Sequence, residues 1–218
     1  MVAVHEAIKE ARRAITRDPE RTRAVILSAA TEEFTANGLT GARVDAIAKR
    51  ARVNKRMIYH YFGGKDGLYL AVLEATYAAI RAAEQDLHLT ERDPVDGMRE
   101  LVLFTWRYFL AHPEFLSLLG TENLHKAAYL KRSKPIRELH SPLVGIISTL
   151  LERGTKECVF REGVDPVELY VTIAALGFFY LSNRHTLSTI FGRDLSAPSS
   201  LAAREQHIVD VVLDYLKV

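Results

Sequence analysis

One cysteine, Cys158, is all that the sequence offers for thiol chemistry. No intramolecular disulfide can form and no Cys-x-x-Cys metal or redox pair exists. This usage fits a reducing cytoplasm, where the chain is expected to work. Histidines stand at 5, 60, 88, 112, 125, 140, 185 and 207, and no two lie three or four residues apart, so no helical metal-binding pair is present. A Gly-x-Ser-x-Gly elbow and a P-loop are also missing, and Gly63-Gly64 lacks the glycine spacing of a phosphate loop. These absences argue against an enzyme, and neither a cofactor nor a metal is expected. The most apolar stretch, Leu169 to Leu181, has 13 residues, whereas a bilayer crossing needs about 20. Residues 1–16 carry charge throughout (Glu6, Lys9, Glu10, Arg12, Arg13), which leaves no apolar centre for a secretory leader. Strand-like alternation between hairpin turns, internal repeats and low-complexity segments are absent as well.

Helix signals are what the chain has in quantity. Asp93-Pro94 and Asp165-Pro166 each place a capping side chain before a proline at the first helical position. Asp165 to Glu168 also fits a capping box, with Glu168 reaching back. Ser133-Lys134-Pro135 and Ser141-Pro142 read as further helix starts, and Gly38 as a left-handed stop. The pattern predicts an all-α fold with helices over 18–37, 43–50, 54–61, 65–88, 95–111, 113–131 (broken near Gly120), 142–158, 165–190 and 201–217. Residues 1–16 form either an extra amphipathic helix, with Val4, Ile8, Ala11 and Ile15 on one side, or a basic arm of the kind that enters a DNA minor groove.

Charge is unevenly spread. The chain is only +2 in total, yet residues 1–67 hold 13 Lys/Arg against 8 Asp/Glu. Within 43–65 seven basic residues face Asp45 alone. A local basic patch on a near-neutral chain is either a solvated helix face or a phosphate-binding surface.

The segment 24–62 bears on this choice. Leu27, Ala30 and Phe34 share one helix face, with Ile26 beside them. Val44, Ile47, Ala48 and Ala51 share a second, and Ile58 and Phe62 a third. Three short helices thus converge on one small core. Arg52-Val53-Asn54 is a tight link, with Val53 facing inward and Asn54 capping the third helix. The polar face of that helix displays Lys55, Arg56, Tyr59 and His60. Such a helix–turn–helix is the geometry that places a helix in the major groove.

The run Gly38-Leu39-Thr40, Val44-Asp45-Ala46-Ile47-Ala48, Val53 to Phe62 and Lys65-Asp66-Gly67-Leu68 resembles the signature of the TetR family of transcriptional regulators. The resemblance implies an N-terminal three-helix DNA-binding domain (17–65, after the 1–16 segment) and a ligand-sensing and dimerisation domain (66–218). It implies a homodimeric, cytoplasmic repressor that binds a palindromic double-stranded operator and is released by a small-molecule effector. By resemblance, Thr40, Tyr59, Tyr61 and Lys65 grip phosphates, and Arg43, Lys55, Arg56 and His60 reach base edges. Two departures stand out. Arg52 occupies a turn position where the family has glycine, and Gly63-Gly64 replaces its Pro-Ser.

Beyond residue 70 the pattern is less specific. Thr121-Glu122-Asn123-Leu124-His125 resembles the sensing domain of RutR-like catabolic regulators, which implies a catabolic metabolite as effector. Trp106, Phe109, Asn123 and Phe178 are the candidate pocket residues, since a pocket needs an apolar lining with a few polar groups. The helix 165–190 is apolar nearly all round, so both its sides need covering. Paired with the stripe Ile208, Val211, Val212 and Tyr215, it is expected to form a four-helix dimer interface from the last two helices of each protomer. The competing reading is an architectural DNA-binding helical protein without an effector.

Overall fold

The computed structural model describes residues 18–218; the arm or extra helix expected at 1–16 lies outside them. Among the described residues the regular structure is helical, as expected. It consists of α1 (Pro19–Gly41), α2 (Val44–Arg50), α3 (Lys55–Phe62), α4 (Lys65–Gln85), α5 (Pro94–Ala111), α6 (Pro113–Leu124), α7 (Lys134–Lys156), α8 (Pro166–Phe191) and α9 (Pro198–Leu216). Single 3₁₀ turns stand at Leu89–Glu91 and Leu130–Arg132. The chain forms two compact units: residues up to Thr76 with Ser117–Lys134, and Tyr77–Leu116 with Pro135–Val218.

In the first unit, α1 starts where Asp18 accepts the Arg21 amide at 3.0 Å, one residue ahead of Pro19. Its buried face carries Ile26, Ala29, Ala30 and Phe34, with Leu27 half-buried beside them. Ile47, Ala48 and Ala51 complete the core with Ile58 and Phe62 of α3 and Leu68, Tyr69 and Val72 of α4. Phe34 meets Tyr69 edge-on, with ring centroids 5.0 Å apart. Each fully buried large side chain contributes about 1.5–3 kcal/mol. That packing sustains α2 and α3, which are too short to persist as isolated helices.

In the second unit, α5, α8 and α9 pack pairwise on one another. Asp93 caps α5 by accepting the Val95 amide at 2.9 Å, and Asp165 caps α8 through the Val167 and Glu168 amides at 2.8 and 2.9 Å. The return bond expected from the Glu168 side chain is absent among the described residues; the Asp165 carboxylate alone satisfies the first turn.

Gly38 is left-handed (φ 62°) and breaks the helical path as expected, but a further turn carries α1 on to Gly41 rather than ending it at 37. Two later helices also differ from expectation. α7 begins at Lys134, not 142, and carries Pro142 inside it. Pro135 stands in its first turn, where a missing N–H costs nothing, and helix-forming residues bridge to Pro142. The helix expected over 113–131 runs without a break through Gly120 and stops at Leu124. There Lys126 and Ala127 turn left-handed (φ 54° and 57°). The buried Glu122 carboxylate then accepts the Tyr129 and Leu130 amides at 3.2 and 3.0 Å, which gives the freed backbone a partner outside the helix.

Candidate nucleic-acid interface

The link between α2 and α3 is a Schellman motif. The Val53 amide donates to the Ala48 carbonyl (3.1 Å) and the Arg52 amide to that of Lys49 (3.2 Å). Arg52 holds the left-handed position at φ 55°. The turn is therefore the one that glycine would make, adopted by a residue whose Cβ disfavours it. Asn54 then caps α3 by accepting the Arg56 amide at 2.9 Å. Val53 is half-buried, as its inward placement requires.

With Ile58 and Phe62 buried, the helical period turns the other side of α3 outward. Lys55, Arg56, Tyr59 and His60 are all exposed, Tyr59 by 51%. Thr40 and Arg43 are exposed at the end of α1 and the start of α2; Tyr61 and Lys65 are half-buried. All eight residues named from sequence thus lie in one unit and reach its surface. The Lys65 ammonium donates to the Thr40 carbonyl at 3.2 Å, which ties the head of α4 to the end of α1. His60 meets Tyr61 edge-on at 5.1 Å.

Three features of this surface have no local signature in the sequence that would place them. Glu33, 5% exposed, accepts the Arg43 amide at 3.2 Å and lies 3.7 Å from Arg50, so a buried carboxylate fastens both ends of α2. Its one signal is a charge set within the apolar spacing of Ala29, Ala30 and Phe34. Lys55 pairs with Asp45 at 2.8 Å. The hydrogen bond and charge of Lys55 hold the Asp45 carboxyl below its ordinary value, and Asp45 raises Lys55 in return. Both side chains face solvent, so this contact is screened and open to exchange for a phosphate. Finally, the segment 117–134 is fastened to the same unit: Ser117 donates to the Thr35 carbonyl (3.2 Å), Tyr129 to Asp66 (3.2 Å) and Ser133 to Glu74 (2.7 Å).

Gly63-Gly64 has a positive conformational role. Gly63 ends α3 in the left-handed region (φ 72°), and Gly64, at φ 134°, offers the carbonyl that accepts the Leu68 amide at 3.0 Å. A Cβ on Gly67 would sit 1.9 Å from the Phe62 carbonyl oxygen, so α4 starts in direct backbone contact with α3.

The arrangement has the chemistry of a duplex-binding surface. Guanidinium groups can form two hydrogen bonds with guanine, and hydroxyls, ammonium groups and helix-start amides hold phosphates. Residues 26–72 match the family model "Bacterial regulatory proteins, tetR family", and residues 94–212 match "Tetracyclin repressor-like, C-terminal domain". The chain is 41% identical over 198 residues to the HTH-type transcriptional repressor NicS of Pseudomonas putida, covering 91% of this chain and 93% of that protein.

The chain belongs to the TetR family.

It is a TetR-family transcriptional repressor, and its named relatives are regulators rather than enzymes. The HTH-type transcriptional regulator RutR of Escherichia coli K12 is 31% identical over 121 residues, 51% of this chain and 55% of that one. The fold is shared with the crystal structure of FadR from Bacillus subtilis in complex with stearoyl-CoA (TM-score 0.67, 17% identity, 88% of this chain and 98% of that one). No helix among the described residues is long and apolar enough to cross a membrane.

The candidate effector residues are placed as follows. Trp106 and Phe109 are buried in the second unit, and a Cβ on Gly177 would lie 3.2 Å from Phe109. Trp106 meets Tyr180 edge-on at 5.7 Å, and Phe109 stacks with Phe115 at 5.6 Å. Phe178 is half-buried on α8. Asn123 belongs to the first unit, is exposed, and donates to the Leu119 carbonyl of its own helix at 2.9 Å.

Proposed function

We propose that this repressor binds a palindromic double-stranded operator as a homodimer and leaves it when the second unit takes up a small-molecule effector. The observation that carries the DNA half is the outward face of α3, with Lys55, Arg56, Tyr59 and His60 exposed on a capped helix behind a Schellman turn. Arg43, Lys55, Arg56 and His60 are assigned to base edges; Thr40, Tyr59, Tyr61 and Lys65 are assigned to phosphates. Residues 17–65 act as the DNA-binding domain and 66–218 as the sensing and dimerisation domain.

Dimerisation through α8 and α9 is supported by the apolar side chains these helices leave in solvent. Val171 is 52% exposed and Phe179 59% on α8, and Tyr215 is 45% exposed on α9. Two-fold pairing suits an inverted repeat, because two recognition helices about 34–36 Å apart meet successive major grooves on one DNA face. The effector half is supported by FadR, a fold relative whose structure holds stearoyl-CoA. An effector must favour the state that does not bind DNA, since only differential affinity moves the equilibrium.

The test is fluorescence anisotropy on the inverted repeat flanking the protein's own promoter, on a single half-site, and on a scrambled duplex. The expected result is cooperative binding of the repeat that a Phe179→Glu change weakens to half-site affinity. Equal affinity for all three duplexes would refute the operator reading.

A further inference from the structure

A charged pair in the second unit is buried where an ordinary helix-surface pair would be solvated. Arg81 and Glu84, one turn apart near the end of α4, are each 3% exposed, with Arg81 Nη1 2.6 Å from Glu84 Oε2. The contact is close but poorly directed. Among the described residues, Arg81 Nη1 and Glu84 Oε2 both lack a properly aligned hydrogen bond, and Arg81 Nε has no hydrogen-bond partner. A well-formed bond of the guanidinium runs from Nη2 to the Tyr170 hydroxyl of α8, at 2.9 Å. The Tyr170 ring also lies 5.6 Å from the guanidinium carbon. A buried guanidinium with unused donors on its fork is a costly group to leave so. It is also the group that matches a carboxylate through two parallel bonds.

We propose that Arg81 anchors a small organic carboxylate, and that an acid of this class is the effector of the sensing unit. The proposal rests on the effector-release reading above. Glu84 is the resident competitor for the fork, and its charge state sets how far Arg81 is free. Burial pushes its carboxyl up to about 7 against the opposing pull of Arg81. Near neutrality it therefore exchanges a proton readily. Tyr108 of α5 adds a hydroxyl whose ionisation is disfavoured by burial and by the charges of Glu114 and Glu84. Glu114 is itself bonded to His112 at 2.8 Å, and His112 stacks on Tyr108 at 4.1 Å. Tyr170 is thus bonded to the fork, Tyr108 feels the charges of Arg81 and Glu84, and Glu114 and His112 stand beside Tyr108. Above neutral pH, binding of an acid draws one proton from solvent. The ligand carboxylate takes the fork and the proton goes to Glu84, so the buried site keeps the same net charge.

The probes are acetate, hexanoate and benzoate, each paired with its primary amide and measured by calorimetry on the full chain at pH 6 and pH 8. These acids are ionised at both values. At least one acid is expected to bind at least tenfold more tightly than its amide. Its affinity should fall about tenfold from pH 6 to pH 8, the change in the fraction of protein with a neutral Glu84. Glu84→Gln should bind the same acid with no such fall. The double variant Arg81→Gln/Glu84→Gln leaves no buried charge behind, and it should lose the preference for acid over amide. Binding of no acid, equal binding of acid and amide, or an acid preference that survives in the double variant would each overturn the proposal. Release of the operator by a non-acidic compound, with no acid bound, would remove the acid class and keep the effector reading. Failure to bind the operator without any compound would strike the DNA reading instead.

Discussion

The two units handle charge in opposite ways. On α3 the cations stand in water: Lys55 shares Asp45 with solvent, and Arg56 and His60 are exposed. At the end of α4 the cation is enclosed, and Arg81 meets Glu84 with both side chains 3% exposed. An exposed charge is cheap to hold and quick to exchange partners, which suits repeated engagement of phosphates in varying salt. An enclosed charge is held in a fixed place at a cost in desolvation, which suits recognition of one complementary group. The same side-chain chemistry thus stands exposed in one unit and enclosed in the other.

The largest effect is expected where the contrast is sharpest. Arg81→Ala should lower unfolding stability by about 3–5 kcal/mol at pH 8, since it strands a buried carboxylate. At pH 5, where Glu84 is neutral, the loss should be much smaller. Thermal denaturation at the two pH values measures this, and equal losses would mean that the pair is not electrostatically coupled.

Glu84→Gln follows. A carboxyl raised in the folded state to about 7 from its ordinary 4.5 favours folding when protonated. Its contribution is fully present below pH 4.5 and is lost as pH rises through 7, by an amount on the order of 2–3 kcal/mol. The glutamine variant should therefore gain on the wild-type chain between pH 5 and pH 8. Parallel melting curves across that range would show Glu84 to be charged throughout.

A smaller effect belongs to the first unit. Arg52 holds a left-handed turn at φ 55°, so Arg52→Gly should stabilise the fold by about 1 kcal/mol, the relief of a Cβ in that region. Denaturant titration checks it. A loss of stability would mean that the Arg52 side chain supplies something beyond the turn.

The comparison also explains what sequence could show. The three-helix head was legible because its signals are local. Apolar spacing gave Ile26, Ala30, Ile47, Ile58 and Phe62, and the cap at Asn54 lies two residues from the amide it accepts. The caps at Asp93 and Asp165 were legible for the same reason. Arg81 and Glu84 were not. Three residues apart on a helix, they have the spacing of any solvated surface pair, and only packing from α8, 89 residues away at Tyr170, removes the water. The attachment of Tyr129 to Asp66 spans 63 residues and left no local mark either. The start of α7 is ambiguous in the sequence, because Ser133-Lys134-Pro135 and Ser141-Pro142 carry competing start signals and the proline at 142 is tolerated inside the helix.

The central claim is that the exposed face of α3 reads operator DNA while the head of α4 holds its backbone. Its most direct test is the salt dependence of binding by Arg56→Ala and Lys65→Ala on operator and scrambled duplexes. Arg56→Ala should lose about 1–3 kcal/mol on the operator and little on the scrambled duplex. Lys65→Ala should weaken both alike, and its plot of log affinity against log salt should be shallower by about one unit. Wild-type affinities and slopes in both variants would contradict the account.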